Sequence, residues 1–142
     1  MSLRFGAEAS FDPKTTDAPR EVQQYRDSMG ADVVLLAAPD PRLVPVALEI
    51  ARPGGRVLLF AQNDPSMQIQ FPAAAVGVEE KEILGSYSAS VDLQGRSAEI
   101  VFERCHLLRE LITHRFELES IAEAFALASQ PTDESLKLVV LP

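Results

Sequence analysis

Residues 30–61, with the sequence GADVVLLAAPDPRLVPVALEIARPGGRVLLFA, decide the fold. The first part, residues 31–38, is apolar except for one aspartate, which is typical of a strand buried on both faces of a parallel sheet. An Asp-Pro pair then opens a helix, the Pro-Gly-Gly run at 53–55 predicts its end, and residues 56–61 form a second buried strand. This strand–helix–strand order with short connections predicts a right-handed parallel crossover.

The flanking sequence predicts further strands and helices of an α/β protein. A Thr-Asp cap, an early proline and an acidic first turn mark one helix start, and a glycine is placed to end that helix. Apolar residues recur at helical spacing in two later segments. The predicted elements are a short strand at 9–14, a helix between Thr16 and Gly30, a loop at 62–72, a strand at 82–88, helices at 97–114 and 119–129, and a closing strand at 136–141.

Apolar side chains of the two later helices are the predicted core of the C-terminal part, and the charge run at 79–82 is predicted to be a solvated turn before a strand. The core candidates are Ile100, Val101, Leu107, Leu108, Leu111 and Ile112 in the first of these helices, and Ile121, Ala122, Phe125 and Ala128 in the second.

Composition and charge exclude several classes of protein. The 142 residues suffice for one domain with a core. The formal net charge is -8, whereas proteins that bind nucleic acid or an anionic membrane usually carry a basic surface. Its apolar runs are too short to span a bilayer. The chain has one cysteine, Cys105, so no internal disulfide forms and a reducing cytoplasm is the expected compartment.

Gly54 and Gly55 are the glycine pair closest to a phosphate-binding loop. A dinucleotide fingerprint follows a strand and precedes a helix, so that backbone N–H groups and the helix N-terminus meet the pyrophosphate. Here the order is helix, glycines, strand. We therefore predict a helix stop at a tight turn, and the rest of the chain contains no such fingerprint.

His106, His114 and Cys105 are the residues to consider as metal ligands. On one predicted helix the two histidines lie eight residues apart, about 12 Å along the axis. A zinc ion binds nitrogen at about 2 Å, so it cannot join them without other ligands. We predict polar histidines without a metal site, a small core cysteine, and no catalytic residue, since the serines of 86–90 lack the context of a nucleophile.

Several segments, in order, resemble zinc-dependent medium-chain alcohol dehydrogenases, and residues 81–86 (KEILGS) resemble the branch that contains sorbitol and threonine dehydrogenases. The resemblance covers about residues 4–142. Its segments are GADVV at 30–34, RPGGRV at 52–57, KEILGS at 81–86, LITHRF at 111–116, AEAF at 122–125 and SLKLVV at 135–140.

The resemblance implies the second half of a doubly wound, Rossmann-type parallel sheet, followed by C-terminal helices and a closing strand. Residues 4–90 would form part of the nucleotide-binding domain, and residues 91–142 the C-terminal helical segment and return strand. The family's zinc ligands, its glycine fingerprint and its ribose-binding acidic residue have no counterpart in the sequence. We therefore expect a C-terminal fragment whose activity belongs to a longer dehydrogenase that uses zinc and NAD or NADP, with no tight cofactor binding by the fragment itself.

The resemblance also implies which residues lie at the cofactor. Two strand ends correspond to points where the family's backbone meets the ribose and the carboxamide, one strand backbone to another carboxamide contact, and one lysine to a basic residue near the pyrophosphate. Departures occur at position 39, a proline, and at position 61, an alanine, where many relatives have glycine. The implied cofactor-binding residues are Ala37, Ala38, Phe60, Ala61, Ile83, Leu84 and Lys137.

Two other functions are also consistent with the sequence. One is a non-catalytic module that self-associates, because the family's strand near 74–79 pairs with a second subunit and the strand at 33–37 would lie at a sheet edge. Another is a zinc-free relative of the quinone reductases, from which the motif at 81–86 points away. The partners expected are a cofactor and an alcohol in the longer enzyme and a second copy of the chain, with no nucleic acid and no membrane.

Overall fold

The computed structural model describes residues 2–25, 29–62, 64–88 and 90–142. The chain forms two compact units, residues 1–88 and 89–142. No helix among the described residues combines the length and apolar character needed to cross a membrane.

The first unit is a three-stranded parallel sheet with helices between its strands. A short 3-10 helix, Ser2–Phe5, comes first, and the strand order in the sheet is β1-β2-β3. Parallel pairing, which the apolar runs predicted, is confirmed. The further elements are α1 (Ala18–Tyr25), β1 (Ala31–Leu36), α2 (Leu43–Ile50), β2 (Ala51–Leu59), α3 (Ala74–Gly77) and β3 (Glu82–Gly85).

The N-terminal segment differs from its prediction at 9–14, where no strand forms. Asp12 instead builds a turn: its carboxylate accepts the Lys14 N–H at 2.9 Å, and its carbonyl accepts the Thr16 N–H at 2.9 Å. Local bonding of this kind competes with strand pairing. The helix that follows starts as predicted and is described as far as Tyr25; the rest of the predicted helix, at 26–28, lies outside the described residues.

The glycine pair has a different role from the predicted helix stop. Helix α2 ends at Ile50, β2 begins at once, and the Pro-Gly-Gly run at 53–55 lies in an irregularity near the start of β2. The register moves from Ala31↔Ala51 to Val33↔Arg56, so β2 carries extra residues opposite β1. A Cβ atom on Gly55 would lie 3.0 Å from the Ala31 carbonyl oxygen, so the residue's small size permits this close approach.

The core of the first unit lies on one face of the sheet. Helix α2 buries Val44, Ala47 and Leu48 against Val57, which is 0% exposed. The prediction that β1 is buried on both faces is wrong: Val33 is 61% exposed. Successive strand residues point to opposite faces, and α2 packs only on the face that carries Val34 and its neighbours in register.

Lys81 corrects the prediction that residues 79–82 form a solvated turn. Its side chain is buried, its Nζ donates to the Leu48 carbonyl oxygen at 2.7 Å, and it forms an ion pair with Glu79. A lysine near the C-terminus of a helix can satisfy one of the last helical carbonyls. This one therefore connects the end of α2 to the start of β3.

The second unit contains two parallel strands and several helices. Strand β4 pairs with β5, as Phe116↔Val140 shows. The closing strand is confirmed, and the last helix is confirmed but starts after a 3-10 turn. The elements are α4 (Val91–Glu103), α5 (Cys105–Leu108), a 3-10 helix (Arg109–Leu111), β4 (Ile112–Glu117), a 3-10 helix (Leu118–Ser120), α6 (Ile121–Ser129) and β5 (Lys137–Leu141).

The predicted helix at 97–114 is wrong in both position and length. The observed helix starts six residues earlier, at Val91, and the end of the predicted segment is strand β4. Thr113 explains the change, because its hydroxyl accepts the Leu136 N–H at 2.9 Å and donates to the Lys137 carbonyl oxygen at 3.3 Å. These cross-strand bonds, with the β-branched residues around them, favour a strand over a helix.

The predicted apolar stripes of the second unit are only partly correct. In α4, Ile100 and Val101 are exposed. In α6, which packs on β4 and β5, the buried residue is Ala124, whereas Phe125 of the predicted stripe is exposed. The helical period was recognised, but the face that meets the strands was assigned to the wrong residues.

Candidate functional site

The carboxyl ends of three parallel strands lie together at one edge of the first unit. Ala37 follows β1, Phe60 follows β2, and Ser86 follows β3. In open α/β sheets this edge is where ligands bind. Of the predicted cofactor residues, Ala37, Ala38, Phe60 and Ala61 are therefore at the strand ends.

Backbone hydrogen bonds fix these strand ends. The Leu36 carbonyl oxygen accepts the N–H groups of Phe60 at 3.1 Å and Ala61 at 3.0 Å, and the Ser86 N–H donates to the Leu59 carbonyl oxygen at 3.1 Å. Those three N–H groups are thus committed inside the protein. A ligand at Phe60 or Ala61 would meet the carbonyl oxygens and side chains of these residues.

Ile83 and Leu84, also predicted to contact the cofactor, lie within β3 ahead of its end. Ile83 pairs in register with Val57 and packs on the α2 core, and Leu84 pairs with Leu58 on the opposite face. Side chains of these two residues therefore point away from each other. Their predicted contact was to the backbone, and it stays a prediction.

An open cleft of about 630 Å³ lies beside the ends of β2 and β3. Among the described residues, none of those that line it is charged. Of the predicted cofactor residues, Ala61 lies in its wall. The polar residues there were not predicted: Gln62 directly follows the strand expected at 56–61, which was a usable signal, whereas Ser86 and Tyr87 fell within the strand expected at 82–88, which ends at Gly85. The lining residues are Leu59, Ala61, Gln62, Pro65, Gly85, Ser86 and Tyr87.

Carboxylates fix the loops that follow β1 and β2. Asp40 accepts hydrogen bonds from Arg42 Nε at 2.9 Å and Nη2 at 2.7 Å, and these bonds, with the guanidinium charge, hold the pKa of Asp40 below its usual value. Hydrogen bonds from the Ser66 hydroxyl and N–H likewise lower the pKa of Asp64. Both carboxylates are ionised at neutral pH and act as acceptors within their own turns.

Lys137 is the first residue of β5 and is exposed. It belongs to the second unit, and Thr113 fixes the backbone beneath it through the bonds described above. Its predicted contact with a pyrophosphate stays a prediction.

The histidines lie on different elements, so the prediction that one helix carries both is wrong. His106 is in α5, and His114 is in β4, where its Nδ1 lies 3.0 Å from the Thr113 hydroxyl and its ring stacks on Phe116. Cys105 is exposed and is not the predicted core residue. Across residues 2–25, 29–62, 64–88 and 90–142, no group of three or more His, Cys, Asp or Glu side chains could hold a metal ion. These residues therefore do not fit a zinc site.

Comparison with known proteins identifies the family to which the chain belongs. The family model described as zinc-binding dehydrogenase matches residues 1–103. The chain therefore belongs to the zinc-binding dehydrogenase family, and the resemblance found in the sequence is confirmed.

Particular relatives extend this finding. The chain is 30% identical over 147 residues to L-threonine 3-dehydrogenase of Symbiobacterium thermophilum, matching 100% of this chain and 40% of the relative. It is 26% identical to D-xylulose reductase of Saccharomyces cerevisiae, matching 78% of this chain and 31% of the relative. The chain thus spans less than half the length of these curated relatives.

A solved alcohol dehydrogenase of Thermotoga maritima has the same fold. It superposes with a TM-score of 0.87 over 99% of this chain and 39% of its own length, at 23% identity. The predicted α/β fold class, half of a doubly wound sheet with C-terminal helices and a closing strand, is confirmed by this match.

Proposed function

We propose that the chain is part of a longer, cytoplasmic, zinc-dependent NAD(P)-linked alcohol or polyol dehydrogenase. In it, residues 4–90 supply one wall of the cofactor cleft and residues 91–142 form the return segment. The observation that carries the proposal is the cleft beside the ends of β2 and β3, in a chain whose family is that of zinc-binding dehydrogenases. Two relatives are named for reactions on L-threonine and D-xylulose.

The described residues fit a nicotinamide cofactor better than they fit zinc. The cleft is open, its walls are apolar and neutral polar, and it lies where parallel strands end. When bound, the cofactor accepts or donates hydride. The chain's residues at the strand ends would orient it from one side. Zinc ligands would come from the remainder of the longer protein.

The chain alone is expected to be inactive and to bind the cofactor only weakly. With NAD⁺ or NADP⁺, zinc and a panel of alcohols, polyols and L-threonine, it should produce no reduced cofactor by absorbance. Millimolar NADH should nevertheless shift the amide NMR signals of Ala38, Phe60 and Ala61. The reason is that half a cleft leaves most of the ligand's surface in water.

The opposite edge of the same sheet is the internal control for this titration. Gly30 and Asp32 lie where β1 begins, so their signals should stay unchanged. Turnover by the isolated chain would contradict its proposed inactivity. If the amide signals at the strand ends do not shift when NADH is added, the proposed cofactor role is wrong.

A self-associating module is the second candidate, and the edge strand β1 favours it. β1 pairs only with β2 in the described sheet, and Leu35 is 56% exposed. A strand edge with apolar side chains can pair with another chain. The other region expected to pair, 74–79, is not a strand: α3 occupies Ala74–Gly77.

Sedimentation equilibrium tests this second candidate. We expect a dimer, and we expect Leu35→Lys to weaken dimerisation about tenfold or more, because one charged side chain in an apolar interface costs at least the ~1.4 kcal/mol that corresponds to that factor. Leu93→Lys, at an exposed position of α4, is the matched control. A wild-type chain that sediments as a monomer at all concentrations excludes this candidate.

A further inference from the structure

A second, smaller pocket lies between α2 and α3, at the other edge of the sheet from the cleft. Its volume is about 340 Å³, and it shares no lining residue with the cleft at the strand ends. Leu48 and Glu49, near the end of α2, and Lys81, just before β3, lie in its wall. This is the edge at which β2 and β3 begin, so the pocket is separate from the proposed cofactor site.

A buried ammonium group lines this pocket. The Lys81 side chain is 8% exposed, and among the described residues its Nζ has two acceptors, the Leu48 carbonyl oxygen at 2.7 Å and the Glu79 carboxylate. An ammonium carries three N–H groups, and buried donors in proteins are almost always satisfied. One N–H of Lys81 is therefore left for an acceptor inside the pocket.

Glu49 adds an acceptor to the same pocket. Its side chain is exposed, and no described residue forms an ion pair or a hydrogen bond with its carboxylate. An ionised carboxylate accepts hydrogen bonds and donates none. The pocket thus offers a ligand one donor, on Lys81, and one acceptor, on Glu49, from two different parts of the fold.

The remaining walls and the charges of the lining select an uncharged ligand with a hydrocarbon body. Pro45 and Pro72 present apolar surface. The carboxylates of Glu49 and Glu79 oppose an anion, whereas the Lys81 ammonium opposes a cation. A carboxamide carries its acceptor oxygen and its donor nitrogen on separate atoms, so it can accept from Lys81 and donate to Glu49 at the same time.

We propose that the pocket between α2 and α3 binds an uncharged organic molecule with a short hydrocarbon chain and a terminal carboxamide. The carboxamide oxygen accepts a hydrogen bond from Lys81 Nζ, its NH₂ group donates to the Glu49 carboxylate, and the chain lies against the two prolines. This ligand site goes beyond the dehydrogenase function, because it lies at the edge of the sheet away from the cofactor cleft.

Titration of the full chain with hexanamide, followed by NMR of the backbone amides and of the Lys81 ammonium, tests this site. The signals of Glu49, Ala75 and Lys81 should shift and saturate. Glu49→Ala should weaken binding about tenfold, the loss expected for one hydrogen bond to a charged group. Because Glu49 is exposed, its replacement should leave the fold intact. Glu123→Ala, at an exposed position of α6, is the matched control and should bind hexanamide as the wild type does.

Two charged analogues with the same chain length test the choice of an uncharged ligand. Hexanoate and hexylammonium should each bind about tenfold more weakly than hexanamide, because each meets a like charge in the pocket wall. If either analogue binds as tightly as hexanamide, the proposal is overturned, since charge attraction alone would then explain binding. An unchanged affinity of Glu49→Ala, or no saturable shift with hexanamide, overturns it as well. None of these outcomes bears on the NADH titration, whose expected signals lie at the other edge of the sheet.

Discussion

Gly30→Ala should lower the free energy of unfolding by about 2–5 kcal/mol, the sum of left-handed backbone strain and a steric clash. Gly30 has a φ of 89°, which side-chain-bearing residues rarely adopt. An added Cβ would lie 2.7 Å from the Ile50 carbonyl oxygen and 3.0 Å from the Arg52 N atom. Neither backbone atom can move without disturbing the junction of α2 and β2. Urea denaturation followed by circular dichroism measures the loss.

Gly77→Ala is the matched control for that substitution. A Cβ atom there meets nothing within 4 Å, and the residue is the last of α3, where alanine is favoured over glycine. It should therefore change stability by less than about 1 kcal/mol, in the stabilising direction. Equal stability of the Gly30 and Gly77 variants would show that the α2–β2 junction relaxes freely, contrary to the geometry.

Leu48→Ala should cost about 3–5 kcal/mol, the range for a leucine removed from a well-packed core. Leu48 is 2% exposed and packs in one cluster with Val44 and Val57. The substitution retains the backbone carbonyl oxygen that accepts a hydrogen bond from the Lys81 ammonium. It therefore tests packing and not that hydrogen bond. The same urea titration measures it.

Leu93→Ala provides the comparison for the core substitution. Leu93 lies in α4 and is 61% exposed, and alanine has the higher helix propensity. We expect a change within about 0.5 kcal/mol. A loss for Leu93 as large as that for Leu48 would place the stabilising core outside the α2–sheet contact.

Apolar runs and turn residues predicted much of the fold. The runs at 31–38 and 56–61 became β1 and the main part of β2, because continuous apolar segments of that length favour buried strands. The Pro-Gly-Gly run was misassigned because a helix stop and a bulge require the same residues, and only the pairing with β1 distinguishes them. The helix predicted at 97–114 extended too far because apolar residues continue at helical spacing into what is strand β4. Thr113 stabilises that strand by accepting the N–H of Leu136, next to β5.

The site was only partly predictable, for a similar reason. The strand ends at Ala38 and Ala61 follow from local sequence, since parallel strands end at a common edge. Ser86 and Tyr87 lay inside the strand predicted at 82–88, and only the structure, in which β3 ends at Gly85, places them beside a cleft at the ends of β2 and β3. The burial of Lys81 could not be predicted either, because a charge run has no periodic signal and the Leu48 carbonyl oxygen that accepts its hydrogen bond is distant in sequence.

The buried Lys81 has a practical consequence for chemical labelling. Lys14 and Lys137 are exposed, whereas Lys81 is 7% exposed and its ammonium is engaged by Leu48 and Glu79. An amine-reactive reagent can modify Lys81 only after the end of α2 separates from the start of β3. The labelling rate of this amine, relative to the two exposed ones, therefore reports how often the first unit opens locally under native conditions.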